Sequence, residues 1–318
     1  MTDETSSGRA SISSKDPIFI MGILQRSGTN FLDNLLLLHQ DCCAPAPIWE
    51  DYLVHYANLL VPYKNTVFKR WTGITPGVDA RFGDLLFESL GNGMLSLLAS
   101  LVGDKRVVTK TPSAHNLDYF FKLFPRARLI IVIRDGRSLV ESMVVSFGGY
   151  YDIAMRKWAE AARTILHFDQ ANRQSSLKYL IVRYENLVNN LERELRRILA
   201  FLDLNPETYD FHSAANLPVR GSSDLCRSGE YVMHWEPIQK TANFKPVERW
   251  SRWNRARHER FNWIAGQYQQ QFGYDVKQHK ENRLLWFLWN KLMDIRLAIL
   301  WHLRQLKRTS HIWKYDPW

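Results

Sequence analysis

Hydrophobic positions along the chain alternate between short uninterrupted apolar runs and longer stretches with helical spacing. Residues 17–22, 128–134 and 179–183 contain such runs, Leu129-Ile130-Ile131-Val132-Ile133 being the clearest, and residues 106–112 read as a further short strand that ends in Lys110 and is stopped by Pro112. Runs that are apolar on both faces are expected of strands covered on both sides. Between them the spacing predicts helices over residues 31–39, 117–124, 154–172 and 187–202, and a further one that starts after Asp135-Gly136-Arg137 and carries Ser142. Residues 52–101 read as helical and rich in Leu and aromatics, interrupted near Gly73 and Gly77. Strand and helix therefore alternate, which predicts an α/β fold with a doubly wound parallel sheet flanked by helices.

Three stretches fall outside this alternation. Residues 42–51 contain Pro45 and Pro47 and read as a loop ending in Glu50 and Asp51. Residues 204–244 have little periodicity and read as a long ordered loop, of a kind that is often functional. A basic helix is predicted over 247–272, with its arginines on a solvated face, and an amphipathic helix over 283–308, carrying Trp286, Trp289 and Trp301. The expected organisation is a flexible tail over 1–15, one main domain over 16–280 and a C-terminal helical extension over 281–318. No stretch reaches the roughly 18 uncharged apolar residues of a transmembrane helix.

Chemistry concentrates where the first strand ends. Residues 17–32 read as strand, tight loop and helix, an arrangement that presents unpaired N–H groups and the positive end of a helix dipole to an anion such as phosphate. Gly28 lets the backbone approach closely, and Ser27, Thr29 and Asn30 add side-chain donors. The spacing is P-loop-like but does not match a nucleotide triphosphate loop: Gly22 and Gly28 are one residue too far apart, and no Lys follows Gly28. The cation precedes the loop instead, as Arg26. Further on, Arg134 at a strand end and Ser142 in the following helix can converge on one phosphate, the arginine by charge-assisted bonds and the serine through its hydroxyl.

Arg26-Ser27-Gly28-Thr29 followed downstream by Arg134 and Ser142, seven residues apart, resembles the two phosphate-binding motifs of the sulfotransferases that use 3′-phosphoadenosine 5′-phosphosulfate (PAPS). The resemblance runs from about Pro17 to Tyr274 and is closest to the bacterial and protein-tyrosine branches. It implies that residues 16–280 are a catalytic domain moving a sulfuryl group from PAPS, with no metal, to a hydroxyl on a sugar, lipid, peptide tyrosine or small metabolite. It further implies that Arg26, Ser27, Gly28, Thr29, Asn30 and Phe31 surround the 5′-phosphosulfate and that Arg134 and Ser142 hold the 3′-phosphate. Tyr184 then lies near the nucleotide, Lys245 sits on a late segment closing over it, and Lys110 stands beside the transferring group. The cytosolic phenol and steroid branches carry a histidine base after Lys-Thr, where this chain has Pro112; His115 is expected to flank a helix. The carbohydrate and tyrosyl-protein branches use a glutamate after the first helix, which implies Glu50 as base, with Asp51 the alternative.

Bulk properties narrow the partners little. A net charge of +10 suits any anionic partner. Nucleic acid is not expected as a partner, because no recognised module or aromatic platform accompanies the charge. The rival readings are a P-loop-type nucleotide kinase and a non-catalytic protein that binds anions or nucleic acid. Three cysteines, Cys42, Cys43 and Cys226, make neither a disulfide framework nor a metal-ligand spacing, and with no signal-peptide pattern at the start the expected setting is cytoplasmic. Residues 283–308 are expected to pack against the domain or a second copy of the chain, with attachment to a membrane surface as the alternative.

Overall fold

The computed structural model describes residues 16–218, 246–277 and 281–309. Two compact units are present, Met1–Ser251 and Arg252–Trp318, so the division falls ahead of residue 280, where the sequence pattern drew it.

The first unit is built on five parallel strands: β1 (Ile18–Gly22), β2 (Cys42–Cys43), β3 (Arg106–Thr111), β4 (Arg128–Ile133) and β5 (Tyr179–Arg183). Their spatial order is β2-β3-β1-β4-β5. β1 is thus central, and the chain winds first to one side of it and then to the other. Ile18 to Met21 pair with Val108 to Thr111 on one flank and with Arg128 to Ile131 on the other. Such an order places a crevice at the carboxyl end of β1, where ligands of doubly wound sheets bind. β2 corrects the expectation of a loop through 42–51: Cys42 and Cys43 pair with Arg106 and Val107 of β3, which gives this two-residue strand a sheet edge that its own sequence does not announce.

Eight helices of this unit surround the sheet as it is described: α1 (Thr29–Leu36), α2 (Leu60–Ile74), α3 (Ala80–Ser100), α4 (Phe120–Leu123), α5 (Gly136–Phe147), α6 (Tyr151–Asn172), α7 (Tyr184–Asn189) and α8 (Leu191–Phe201). Every residue of β1, β3 and β4 is buried, as covering on both faces demands. Ile18, Ile20, Ile130 and Val132 share one core with Leu32, Leu35 and Leu36 of α1 and Leu195, Ile198 and Leu199 of α8. Phe19, turned to the other face by the strand's two-residue period, stacks on Phe124 at 4.7 Å and meets Phe120 edge-on at 5.2 Å. The helix expected over 187–202 is two helices, α7 and α8, with Asn190 outside helical geometry between them (φ −139°, ψ 55°). The expected long loop contains a further short helix, α9 (Phe211–Ala215), and its residues 219–244 lie outside the described ones.

In the second unit, α10 (Arg255–Gln271) is the basic helix, starting eight residues later than expected, and α11 (Arg283–Thr309) is the helix expected over 283–308. The expectation of a solvated arginine face fails at Arg260, which is buried, with Nη2 donating to Asp294 Oδ1 at 2.7 Å and Nη1 to the Asn290 carbonyl at 3.1 Å. No helix among the described residues is long and apolar enough to cross a membrane.

Candidate active site

The carboxyl ends of β1, β3 and β4 each deliver a polar side chain to one end of the sheet. β1 runs into a tight loop whose Ser27 N–H donates to the Leu24 carbonyl at 3.3 Å, and α1 begins immediately after Gly28. Arg26 and Gly28 both have left-handed backbones, φ 72° and 103°. Glycine is required at 28 on two counts: a Cβ there would meet the Tyr184 ring at 2.2 Å, and the conformation itself disfavours a side chain. Ser27 is fully buried, and its hydroxyl has no hydrogen-bond partner among the described residues.

Arginines converge on this loop. Arg134, buried at the end of β4, donates from Nη1 to the Arg26 carbonyl at 2.6 Å and from Nη2 to the Pro246 carbonyl, and lies 4.6 Å over the Tyr184 ring. Its Nε is buried without a partner among the described residues. Arg26 Nε donates to Ser142 Oγ at 3.2 Å and Arg249 Nη1 donates to the same oxygen at 3.3 Å. The α5 serine is therefore a meeting point of two guanidinium groups, with a third tied to the same loop. Phe31 meets the Tyr184 ring edge-on at 6.3 Å, and burial pushes the Tyr184 phenol above its ordinary value. The start of α5 is fixed from two directions. Asp135 caps it by accepting from Arg137 N at 2.8 Å, and its own N–H donates to Glu185 at 2.9 Å. This concentration of donors with few acceptors matches the donor set that two phosphate groups need.

Next to it, the segment after β2 sets two carboxylates, Glu50 and Asp51, against β3. Lys110 is buried, its Nζ donates to the Trp49 carbonyl, and it stands 3.9 Å from Glu50 Oε1. The other Glu50 oxygen accepts from the Tyr52 hydroxyl at 2.9 Å. Asp51 points into the protein instead, where its carboxylate accepts from Thr109 at 2.8 Å, Thr111 at 3.0 Å and the Leu53 N–H at 2.9 Å. The Asp51 N–H donates in turn to the Lys110 carbonyl at 3.0 Å, and the Tyr52 N–H to Thr111 Oγ1 at 3.1 Å. Burial raises the Asp51 carboxyl above its ordinary value, opposed by these hydrogen bonds. Burial and the neighbouring Glu50 push the Tyr52 phenol up to about 12. The two adjacent acids thus differ in kind: Glu50 sits partly exposed beside a cation, and Asp51 pins its loop to the strand that carries Lys110.

A sulfotransferase family model matches residues 17–208, more than half of the chain, from β1 to beyond α8. The chain belongs to the sulfotransferase family. It is 27% identical over 200 residues to a protein-tyrosine sulfotransferase of Drosophila melanogaster, an alignment covering 59% of this chain and 38% of that protein. Its identity to protein-tyrosine sulfotransferase A of Caenorhabditis elegans is 28% over 201 residues, covering 59% and 50% respectively. The chain therefore spans half or less of the length of these curated relatives. Among solved structures, the sulfotransferase domain of an olefin synthase from Synechococcus PCC 7002 aligns with a TM-score of 0.46 at 20% identity, over 83% of this chain and 97% of that one.

Membership of the sulfotransferase family leaves the nucleotide-kinase reading without support. Of the residues expected at the site, Arg26, Ser27, Gly28, Thr29, Asn30, Phe31, Arg134, Ser142 and Tyr184 lie on or against one loop, and Glu50 and Lys110 lie together beside β1. Lys245 lies outside the described residues. His115 Nδ1 donates to the His55 carbonyl at 3.1 Å. Two residues were not anticipated. Arg249, expected on a solvated helix, comes from a 3-10 turn (Arg249–Arg252) to Ser142. Tyr52 carries no motif beyond its position after the acid pair.

Proposed function

We propose that this chain is a PAPS-dependent O-sulfotransferase in which Glu50 is the general base. The observation that carries the reading is the pairing of a glycine-kinked, arginine-ringed loop with a carboxylate held against a buried lysine at the carboxyl end of one parallel sheet. The Ser27 hydroxyl and Arg134 Nε, buried without a partner among the described residues, suit an oxygen-rich ligand, since polar groups of that kind are costly to bury without a bond. Arg26, Ser27, Gly28, Thr29, Asn30 and Phe31 would hold the 5′ end of the nucleotide, and Arg134, Ser142 and Arg249 its 3′-phosphate, with Tyr184 beside it. Lys245 is assigned the closing role on resemblance alone.

When bound, PAPS supplies a sulfuryl group and leaves as adenosine 3′,5′-bisphosphate. The chain's own part is orientation, charge and one proton. Glu50 receives the proton of the acceptor hydroxyl, a task for a positioned carboxylate. Lys110 and Arg26 offer fixed positive charge where negative charge builds on the leaving phosphate, and such preorganised groups are typically the largest single contribution to transfer chemistry. Tyr52, protonated throughout the neutral range, orients Glu50 by donating to one oxygen and leaving the other toward Lys110. Asp51 holds the loop in place and is not the base, because three donors already occupy its carboxylate.

The acceptor is a hydroxyl, and a peptide tyrosine is the first to test, since both relatives described above are named for that acceptor. Transfer of labelled sulfur from PAPS to tyrosine peptides, followed in wild type and Glu50→Gln, tests the reading. Label incorporation that depends on Glu50 is expected; nucleotide binding with no label incorporated on peptide, sugar or phenol acceptors would reduce the protein to a binding module.

A further inference from the structure

The second unit carries a surface that the chemistry above does not use. One side of α11 is committed to α10: Asn290 and Asp294 accept from Arg260, Trp263 Nε1 donates to Asp294 at 2.9 Å, and the Trp263 ring meets Phe287 edge-on. On the opposite side Leu285, Leu288, Leu292, Ile295 and Ile299 recur at alternating steps of three and four residues. They form one stripe with Leu284, and all six are between 53% and 70% exposed. Stripes of this spacing are commonly the seam of a two-stranded coil, so a second copy of the chain must be weighed against a lipid surface.

The charges that edge the stripe decide between them. Lys291, one residue before Leu292, and Arg296, one residue after Ile295, border it on its two sides and are exposed. The acid nearest them, Asp294, is already engaged by Arg260 and Trp263. In a parallel pair of α11 helices the Lys291 position faces the partner's Arg296 position, and in an antiparallel pair each faces its own kind, so either pairing sets cation against cation along the seam. An anionic lipid surface offers counter-charge to both Arg296 and Lys291, whose Nζ lies 5.6 Å over the Trp263 ring, and receives the aliphatic stripe in the interface between headgroups and acyl chains. We infer that α11 docks this protein flat on an anionic membrane surface, with the Leu284 to Ile299 stripe inserted and Lys291 and Arg296 at lipid phosphates.

The test is co-sedimentation of the full chain with vesicles of phosphatidylcholine alone and of equimolar phosphatidylcholine and phosphatidylglycerol. Binding is expected only to the mixed vesicles, and its release on raising salt to about 1 M, where charges are screened over ~3 Å, is expected as well. Leu288→Glu with Leu292→Glu should abolish it. Lys291→Gln with Arg296→Gln should weaken partitioning roughly thirty-fold, from the loss of two cations at the lipid surface. These positions are exposed, so unchanged thermal midpoints are the control for folding, and the lipid and salt comparison on wild type needs no variant. Absent or equal binding to the two vesicle types overturns the proposal. So does a dimer on sizing by light scattering that dissociates in the Leu288→Glu, Leu292→Glu variant while no vesicle binding is seen, which would give the stripe to a second copy.

Discussion

Removing the Asp51 carboxylate should be far more harmful than neutralising it. In Asp51→Ala the Thr109 and Thr111 hydroxyls and the Leu53 N–H lose their acceptor in a buried site. Each buried donor left unmade costs about 1–3 kcal/mol. Taking the low end for the two hydroxyls, which can rotate to other partners, the sum is about 3–5 kcal/mol. For a unit of this size that is a fall of roughly 6–20 °C in thermal midpoint, at roughly 2–4 °C per kcal/mol. Asp51→Asn behaves differently, because an amide oxygen still accepts from Leu53 and Thr111 and its NH₂ donates to a reoriented Thr109 hydroxyl. The sign of the pH dependence follows from the raised carboxyl. With the folded value above the ordinary carboxyl value of 3.8, the native state holds the proton more tightly than the unfolded chain does. That stabilisation is complete below the unfolded value and is lost as pH rises through the folded one, so Asp51→Asn, which does not titrate, gains on wild type as pH rises from 3.8 upward. Differential scanning calorimetry of the three proteins across that range measures both effects. Equal midpoints for the Ala and Asn variants, or an Asn variant that loses ground to wild type with rising pH, would refute the assignment of Asp51 as a buried clamp.

Other outcomes follow from neighbouring contacts. Gly28→Ala places a Cβ 2.2 Å from the Tyr184 ring at a left-handed φ, so the ring on which Arg134 stacks must shift; a loss of about 2–4 kcal/mol in chemical denaturation is expected from strain and repacking, together with loss of nucleotide binding. Arg249→Gln removes a charged donor to Ser142 and should weaken binding of adenosine 3′,5′-bisphosphate about tenfold, leaving AMP binding unchanged in the same titration. Lys110→Ala should lower turnover by about 10²-fold or more while product-nucleotide affinity holds, as steady-state kinetics beside calorimetry would report. With the Tyr52 phenol pushed up to about 12, the loss of rate in Tyr52→Phe should be the same at pH values across the neutral range; a defect that appears only as pH rises would remove Tyr52 from the orienting role.

Much of this arrangement can be read before any coordinates. The short apolar runs of β1 and β4 are legible because a parallel sheet covered on both faces keeps them apolar throughout, β3 is marked instead by Lys110 and the stop at Pro112, and the chain order of loop, Arg134 and Ser142 puts the phosphate-binding groups at strand ends. The failures share a physical cause. β2 exists only because β3 offers an edge to Cys42 and Cys43, and a strand made by its partner leaves no periodicity of its own. Arg249 and Arg260 look like members of one solvated series, and what separates them is tertiary: one reaches Ser142 and the other is buried against Asp294. The Glu50 and Asp51 ambiguity could not be resolved in one dimension either, since which of two adjacent acids is sequestered depends on the Thr109 and Thr111 hydroxyls, nearly sixty residues away. Lys245 keeps only the standing that its resemblance confers.

Calorimetric titration with adenosine 3′,5′-bisphosphate against AMP, on wild type and Arg134→Ala, tests the central claim most directly. Micromolar binding of the bisphosphate, with AMP far weaker and the difference erased in Arg134→Ala, is the result predicted by a buried arginine that holds the loop and receives the 3′-phosphate. Equal affinity for the two nucleotides, or a preference that survives the loss of Arg134, would contradict it.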